Sequence, residues 1–121
     1  MATILLAEDN EAVRLLTQAK LRHQFTVVTA ANGREALDIL NRQHVDLIVA
    51  DVMMPVMDGY TATRTIRRLD RPDAGRIPIL ATTANAFAED RRRAYEAGMN
   101  EHLTKPLETE LVIKTLAKYR K

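Results

Sequence analysis

The sequence predicts an α/β domain built on a five-stranded parallel sheet. Apolar segments of strand length alternate with helical patterns five times along 121 residues, the signature of successive βαβ units. Four of these segments also end in residues that carry chemistry. Glu8-Asp9 follows Ile4-Leu5-Leu6-Ala7, and Asp51 follows Leu47-Ile48-Val49-Ala50. Thr83 follows Ile79-Leu80-Ala81-Thr82, and Lys105-Pro106 comes just after His102-Leu103. In an open α/β sheet the carboxyl edge of the strands is where sites form, so one sheet would bring all of them together.

Strands are expected near residues 3–7, 25–30, 47–51, 77–82 and 101–104. The second, Phe25-Thr26-Val27-Val28-Thr29, is the least uniformly apolar, as suits an edge strand. The first helix follows Asn10 and should turn Ala12, Leu15, Leu16 and Ala19 inward. The second has a box-like start, Asn32 with Glu35 three residues on, then Ala36, Leu37 and Leu40. The third enters through the Asp58-Gly59 turn and is expected from about Gly59 to Leu69, burying Ala62, Ile66 and Leu69. The fourth lies between Asn85 and Ala97, and Gly98 suits a left-handed position just past its end. The fifth follows Pro106 and packs Leu111, Val112, Leu116 and Tyr119. Asp70 to Arg76, with Pro72 and Gly75, reads as a loop. No internal repeat, low-complexity tract or interdomain linker is evident, so residues 1–121 read as one domain.

Composition narrows the function. With 46% apolar residues the chain can bury a real core and is too ordinary to be disordered. No apolar run approaches membrane-spanning length, and no basic region with a long apolar stretch and cleavage site opens the chain. Zero cysteines exclude disulfides and thiolate metal sites. A cytoplasmic location without a membrane partner is the expectation. The net charge of +2 is too small to demand nucleic acid. Arg67-Arg68, Arg91-Arg92-Arg93 and Lys118-Arg120-Lys121 read as solvated helix faces. No aromatic interleaving supports a single-strand platform, and no helix-turn-helix is appended. His23 and His44 read as surface residues at helix ends.

Three carboxylates, Glu8, Asp9 and Asp51, cannot crowd together unaided. Each pair about 4 Å apart repels by roughly 4 kcal/mol at an effective dielectric near 20. The arrangement asks for a divalent cation, and oxygen ligands point to Mg²⁺. A lysine and a hydroxyl opposite such a cluster suit an oxyanion such as a phosphoryl group.

The segments ILLAEDN, DLIVADVMMPVMDGY, PILATTANA and HLTKP, in that order and at helix-length spacing, resemble a response-regulator receiver domain of two-component signalling, of the chemotaxis-regulator type. The resemblance runs from about Thr3 to the C-terminus. It implies the flavodoxin-like strand order 2-1-3-4-5 with helices on both faces. It also implies Asp51 as a phosphoacceptor, with Asp9 and Asp51 ligating Mg²⁺, Glu8 acting through water and the Met53 carbonyl as a backbone ligand. Thr83 and Lys105 would hold phosphoryl oxygens, with a cis Lys105–Pro106 bond aiming the lysine inward. The TANA match selects Thr83 over Thr82. The donor would be a histidine kinase or a histidine phosphotransfer protein, and phosphorylation would change the surface of the fourth helix, fifth strand and fifth helix for an unnamed downstream protein. At His102 the family often carries a tyrosine or phenylalanine that swings inward when the hydroxyl moves. Histidine departs from that, and it titrates near neutrality. The chain stops after its fifth helix without an output domain, as a stand-alone regulator or an excised piece would, and the TANA and MMPVMDGY segments look like receivers of hybrid kinases.

Two other classes compete. An aspartyl-nucleophile phosphohydrolase keeps a second Asp two residues on as general acid, but that position is Met53, which cannot donate a proton. A flavin-binding flavodoxin-like protein needs a hydroxyl- and amide-rich phosphate loop after the first strand. Glu8-Asp9-Asn10-Glu11 would instead repel a phosphate that came without a metal. The expectation is therefore a signalling domain and not an enzyme, catalysing only its own phosphorylation and dephosphorylation.

Overall fold

The computed structural model describes residues 2–84 and 88–119. Five strands alternate with five helices: β1 (Thr3–Ala7), α1 (Glu11–Leu21), β2 (Thr26–Ala30), α2 (Gly33–Leu40), β3 (Leu47–Asp51), α3 (Gly59–Arg67), β4 (Ile79–Thr83), α4 (Ala88–Ala97), β5 (Glu101–Thr104) and α5 (Thr109–Tyr119). All pairings are parallel and the sheet order is β2-β1-β3-β4-β5. β3 is buried along its whole length, which explains its unbroken apolar run, whereas β2 is an edge and only Ala30 is buried.

Strand alternation splits the core into two layers. Leu5, Ala7, Ile48, Ala50, Ile79 and Ala81 face α2, α3 and α4. Ile4, Leu6, Leu47, Val49 and Leu80 face α1 and α5. Side-chain caps start α1, α2 and α3. Asn10, Asn32 and Asp58 accept the N–H of Val13, Glu35 and Thr61 at 3.0, 2.9 and 2.7 Å. The Glu35 carboxylate accepts from Ala31 N–H at 3.1 Å, one residue short of the reciprocal box.

Several details differ from the sequence reading. The expected inner face of α1 is its outer face: Ala12, Leu15, Leu16 and Ala19 are all exposed, Leu16 to 66%. Two local bonds set the helix phase. The Asn10 cap fixes its start, and Arg14 donates to the Glu8 carbonyl at 2.8 Å, which turns that side toward the end of β1. Val13, Thr17 and Leu21 then face the sheet, and only Leu21 is fully buried. So sparse a face leaves a groove of about 320 Å³ along α1, floored by Leu6, Val49 and Leu107. β4 starts at Ile79, two residues later than expected, and includes Thr83. α3 stops at Arg67, leaving Leu69 half-buried outside it. In α5, Val112 and Leu116 are buried but Leu111 is 39% exposed, with Thr115 inward in its place. The expected start of α4 at Asn85 lies outside the described residues, as do Arg120 and Lys121.

Arg67, read as part of a solvated basic face, is half-buried. It donates to the Gly98 carbonyl through Nε at 3.0 Å and Nη2 at 2.8 Å, and to Asn100 Oδ1 at 2.9 Å. Its Nη1 reaches the carbonyls of Ala74 at 3.1 Å and Ile77 at 2.8 Å. One guanidinium thus ties the end of α3 to the loop before β4 and to the α4–β5 turn. Gly98 occupies that turn at φ +107°, the left-handed position expected of it.

Candidate functional site

β1, β3 and the β4–β5 pair deliver their side chains to one edge. The Glu8 N–H donates to the Ala30 carbonyl at 3.0 Å, which extends the β1–β2 pairing by one residue and holds Glu8 at the sheet. Asp51, the last residue of β3, is 5% exposed. Its Oδ1 accepts from the Met53 N–H at 3.0 Å. Lys105 follows β5, and its N–H donates to the Thr83 carbonyl at 2.8 Å, prolonging the β4–β5 pairing. The Lys105–Pro106 peptide is cis, as the resemblance implied. Lys105 Nζ lies 2.6 Å from Glu8 Oε1 and 2.8 Å from Asp51 Oδ2, so it bridges two buried carboxylates.

α3 approaches this edge closely because Gly59 has no side chain. A Cβ there would lie 2.5 Å from the Asp51 carbonyl oxygen and 3.0 Å from Val52 Cα. Gly59 N–H donates to the Val52 carbonyl at 3.2 Å. Between them the loop from Val52 to Asp58 turns outward. Val56 holds φ +68°, a strained conformation for a β-branched residue. Met53 and Val56 are 74% and 82% exposed, while Met54 packs into the core.

Electrostatics follow from this geometry. Burial pushes the Glu8 carboxyl above its ordinary value, the Asp51 charge adds to the rise, and the bonds from Lys105 and the Asn10 N–H oppose it. Burial alone would pull the Lys105 ammonium down, but its bonds to Asp51 and Glu8 and their negative charges outweigh that and leave it above the usual lysine range. Carboxylate oxygens of Glu8, Asp9 and Asp51 lie within 4.8 Å of one another, with Asp9 exposed at the mouth. Lys105 offsets only one of the three negative charges. An oxygen-only donor set, partly buried and still in negative surplus, fits a hard divalent cation such as Mg²⁺ better than a soft one.

The two threonines part as alternation requires. Thr82 pairs in register with Asp51 and lines the α1 groove beside Lys105. Thr83 shares the opposite face with Ala81, toward α4. His102 pairs with Ala81 on that same face, is buried, and stands one diagonal step from Thr83. His23 and His44 are exposed, and His44 bonds Asp46 at 3.0 Å. The Glu8–Lys105 ion pair and the close approach at Gly59 escaped the sequence reading. The Glu8-Asp9 pair and the Asp-Gly turn were visible, but neither signals a contact across the sheet.

Comparison with known proteins agrees with this geometry. Residues 4–117 match the family model described as response regulator receiver domain. The chain is 37% identical over 117 residues to the sensor histidine kinase RcsC of Escherichia coli K12, covering 96% of this chain and 12% of RcsC. Thus it spans about an eighth of that relative. Vibrio cholerae chemotaxis protein CheY4 superposes at TM-score 0.88 with 32% identity, covering 98% of both chains. The receiver domain of sensor histidine kinase PA1611 from Pseudomonas aeruginosa, solved with magnesium in its active-site cleft, superposes at 0.85 with 39% identity over 98% of this chain and 96% of that one. The receiver domain of Saccharomyces cerevisiae Ssk1, solved with the histidine phosphotransfer protein Ypd1, reaches 0.84 with 28% identity, covering 98% of this chain and 88% of that one.

Proposed function

The chain belongs to the response regulator receiver domain family, and on that footing we propose that it is a phosphoryl-accepting signalling switch with Asp51 as the acceptor. The carrying observation is an ammonium held within 2.8 Å of an otherwise buried, strand-end carboxylate. An Asp51 oxygen attacks the phosphorus of a phosphohistidine. The P–O bond forms as the P–N bond breaks, and the imidazole leaves with a proton from solvent. The donor is a histidine kinase or a histidine phosphotransfer protein, as suits relatives that include a sensor kinase and a receiver complexed with such a protein. Residues that bind and orient do most of the work in phosphoryl transfer. The Met53 N–H fixes the Asp51 carboxylate in place, and Lys105 is placed to bond an incoming phosphoryl oxygen. Thr83 takes a second oxygen. Glu8, Asp9, Asp51 and the Met53 carbonyl would hold Mg²⁺, Glu8 through a water. When bound, that ion neutralises charge on the transferring group. Water later hydrolyses the acyl phosphate and resets the switch.

The read-out face comprises α4, β5 and α5. Thr83 leads toward α4, and Lys105 joins β5 to α5, so drawing both toward one phosphoryl group moves those elements. The equilibrium shifts only as far as phosphoryl contacts favour the active state. Lys105→Ala should therefore still accept a phosphoryl group but lose most of the amide-shift response in residues 88–119 when beryllofluoride and Mg²⁺ are added. A wild-type pattern of shifts in that variant would overturn the role of Lys105. Shifts confined to α1 and α2 in the unsubstituted protein would overturn the assignment of the face.

Asp9→Ala should weaken Mg²⁺ binding by on the order of tenfold, about 1.4 kcal/mol, since the ion loses a charged ligand while Glu8 and Asp51 remain. Isothermal calorimetry or an amide-shift titration reads this directly. Unchanged affinity would place the metal elsewhere.

A further inference from the structure

We propose that His102 is a proton-operated latch on the α4–β5 seam, closed when its ring is neutral and opened when the ring takes up a proton. The ring is 7% exposed on the α4 face of the sheet, over Ala81, and neither nitrogen has a hydrogen-bond partner among the described residues. A buried ring with both nitrogens unpaired is tolerable when neutral. As an imidazolium it would carry a charge and two donors into the same apolar place, and such a group moves to water or loses its proton.

Among the described residues, little in the surroundings holds that charge. α4 presents Asp90, which favours protonation, and Arg91, which opposes it. β4 contributes Ala81 and, diagonally, Thr83, neither of which titrates in this range. Within β5, Glu101 is occupied by Tyr119 at 2.6 Å and Lys118 at 3.3 Å, and beyond it Lys105 is held by Glu8 and Asp51. Burial and then Arg91 lower the ring's affinity for a proton below that of an ordinary histidine, with Asp90 a weaker counterweight. The lid is also light. α4 is AEDRRRAYEA, and among its described side chains only those of Ala94 and Ala97 are buried. Apart from Arg93 stacked on Tyr60 at 4.5 Å and the Tyr60 bond to the Asp90 carbonyl at 3.4 Å, the described part of α4 buries little, and so light a seam opens at lower cost than one closed by large side chains.

The sign follows from linkage. The closed state binds fewer protons than the open or unfolded state from about pH 6.5 down to the depressed value, so closure weakens as pH falls through that window. Below the open-state value the opening equilibrium grows about tenfold per pH unit until the closed form also protonates. One consequence rests on the phosphoryl-switch reading. If Thr83 is drawn toward Asp51, room over Ala81 increases and the neutral inward ring is favoured. Low pH and phosphorylation would then oppose each other, by the same factor in both directions.

The test is an NMR titration of the whole chain from pH 8 to 5, first without any phosphoryl mimic. The His102 ring resonances should titrate below the ordinary histidine value. Exchange of α4 and β5 amides, corrected for its intrinsic pH dependence, should accelerate over the same range. His102→Phe keeps an aromatic ring and should abolish that acceleration. If His102 titrates at or above the ordinary histidine value, or if His102→Phe leaves the acceleration intact, the latch is overturned. Repeating the titration with beryllofluoride and Mg²⁺ should lower the His102 midpoint further. An unchanged midpoint there removes the coupling to phosphorylation, whereas the latch stands or falls on the first titration.

Discussion

Asp51→Asn should reduce phosphoryl incorporation from a small phosphodonor and Mg²⁺ to background, with the fold retained. The Met53 N–H bonds Asp51 Oδ1 at 3.0 Å and Lys105 bonds Oδ2 at 2.8 Å, so the single amide oxygen keeps the Met53 bond while Lys105 stays paired with Glu8 at 2.6 Å. What is lost is the anionic nucleophile. Intact-mass measurement before and after the donor reads the outcome, and full incorporation in the variant would sink the assignment. Repulsion among the three carboxylates, taken alone, would make removing one of them stabilising without metal. The Lys105 bridge changes that expectation, because the substitution relieves repulsion from Glu8 and Asp9 while removing a charge-assisted bond. The two effects oppose each other, and stability should move by no more than about 1 kcal/mol.

Arg67→Met should destabilise the fold by about 3 kcal/mol, or roughly 10 °C in Tm for a domain of this size. Methionine can replace the aliphatic stem but none of the bonds to Gly98, Asn100, Ala74 and Ile77. Partly buried carbonyls would be left without a donor. Arg67→Lys should recover little, since one ammonium cannot span acceptors that a planar fork reaches on two sides. Urea unfolding of the three proteins decides this. A loss below about 0.5 kcal/mol, the level of an ordinary surface change, would show that the clamp is incidental.

Much of the architecture was readable because strands buried on both faces leave an unmistakable record. Leu47-Ile48-Val49-Ala50 ends in Asp51, and such a carboxylate in such a place is costly unless it has a partner. Helix starts were readable for a similarly local reason, since Asn32 and Asp58 cap their own helices within three residues. α1 was misread because apolarity was its only guide. Leu15 and Leu16 are its most conspicuous residues, yet the Asn10 cap and the Arg14 bond to Glu8 rotate both outward. Arg67 was misread for the converse reason: a charged residue on a helix looks solvated until the carbonyls of another segment arrive beside it.

By itself the sequence determined the element order, the parallel βαβ series and the residue types gathered at the carboxyl edge. Those follow from period, capping and strand-end chemistry, all properties of short stretches of chain. Only the tertiary structure decided that Lys105 bridges Glu8 and Asp51, that Gly59 lets α3 close on β3, and that the His102 ring is buried on the α4 face with no hydrogen-bond partner among the described residues. Each of these depends on the distance between atoms many residues apart, and parallel pairing sets that distance, while local propensity does not encode it.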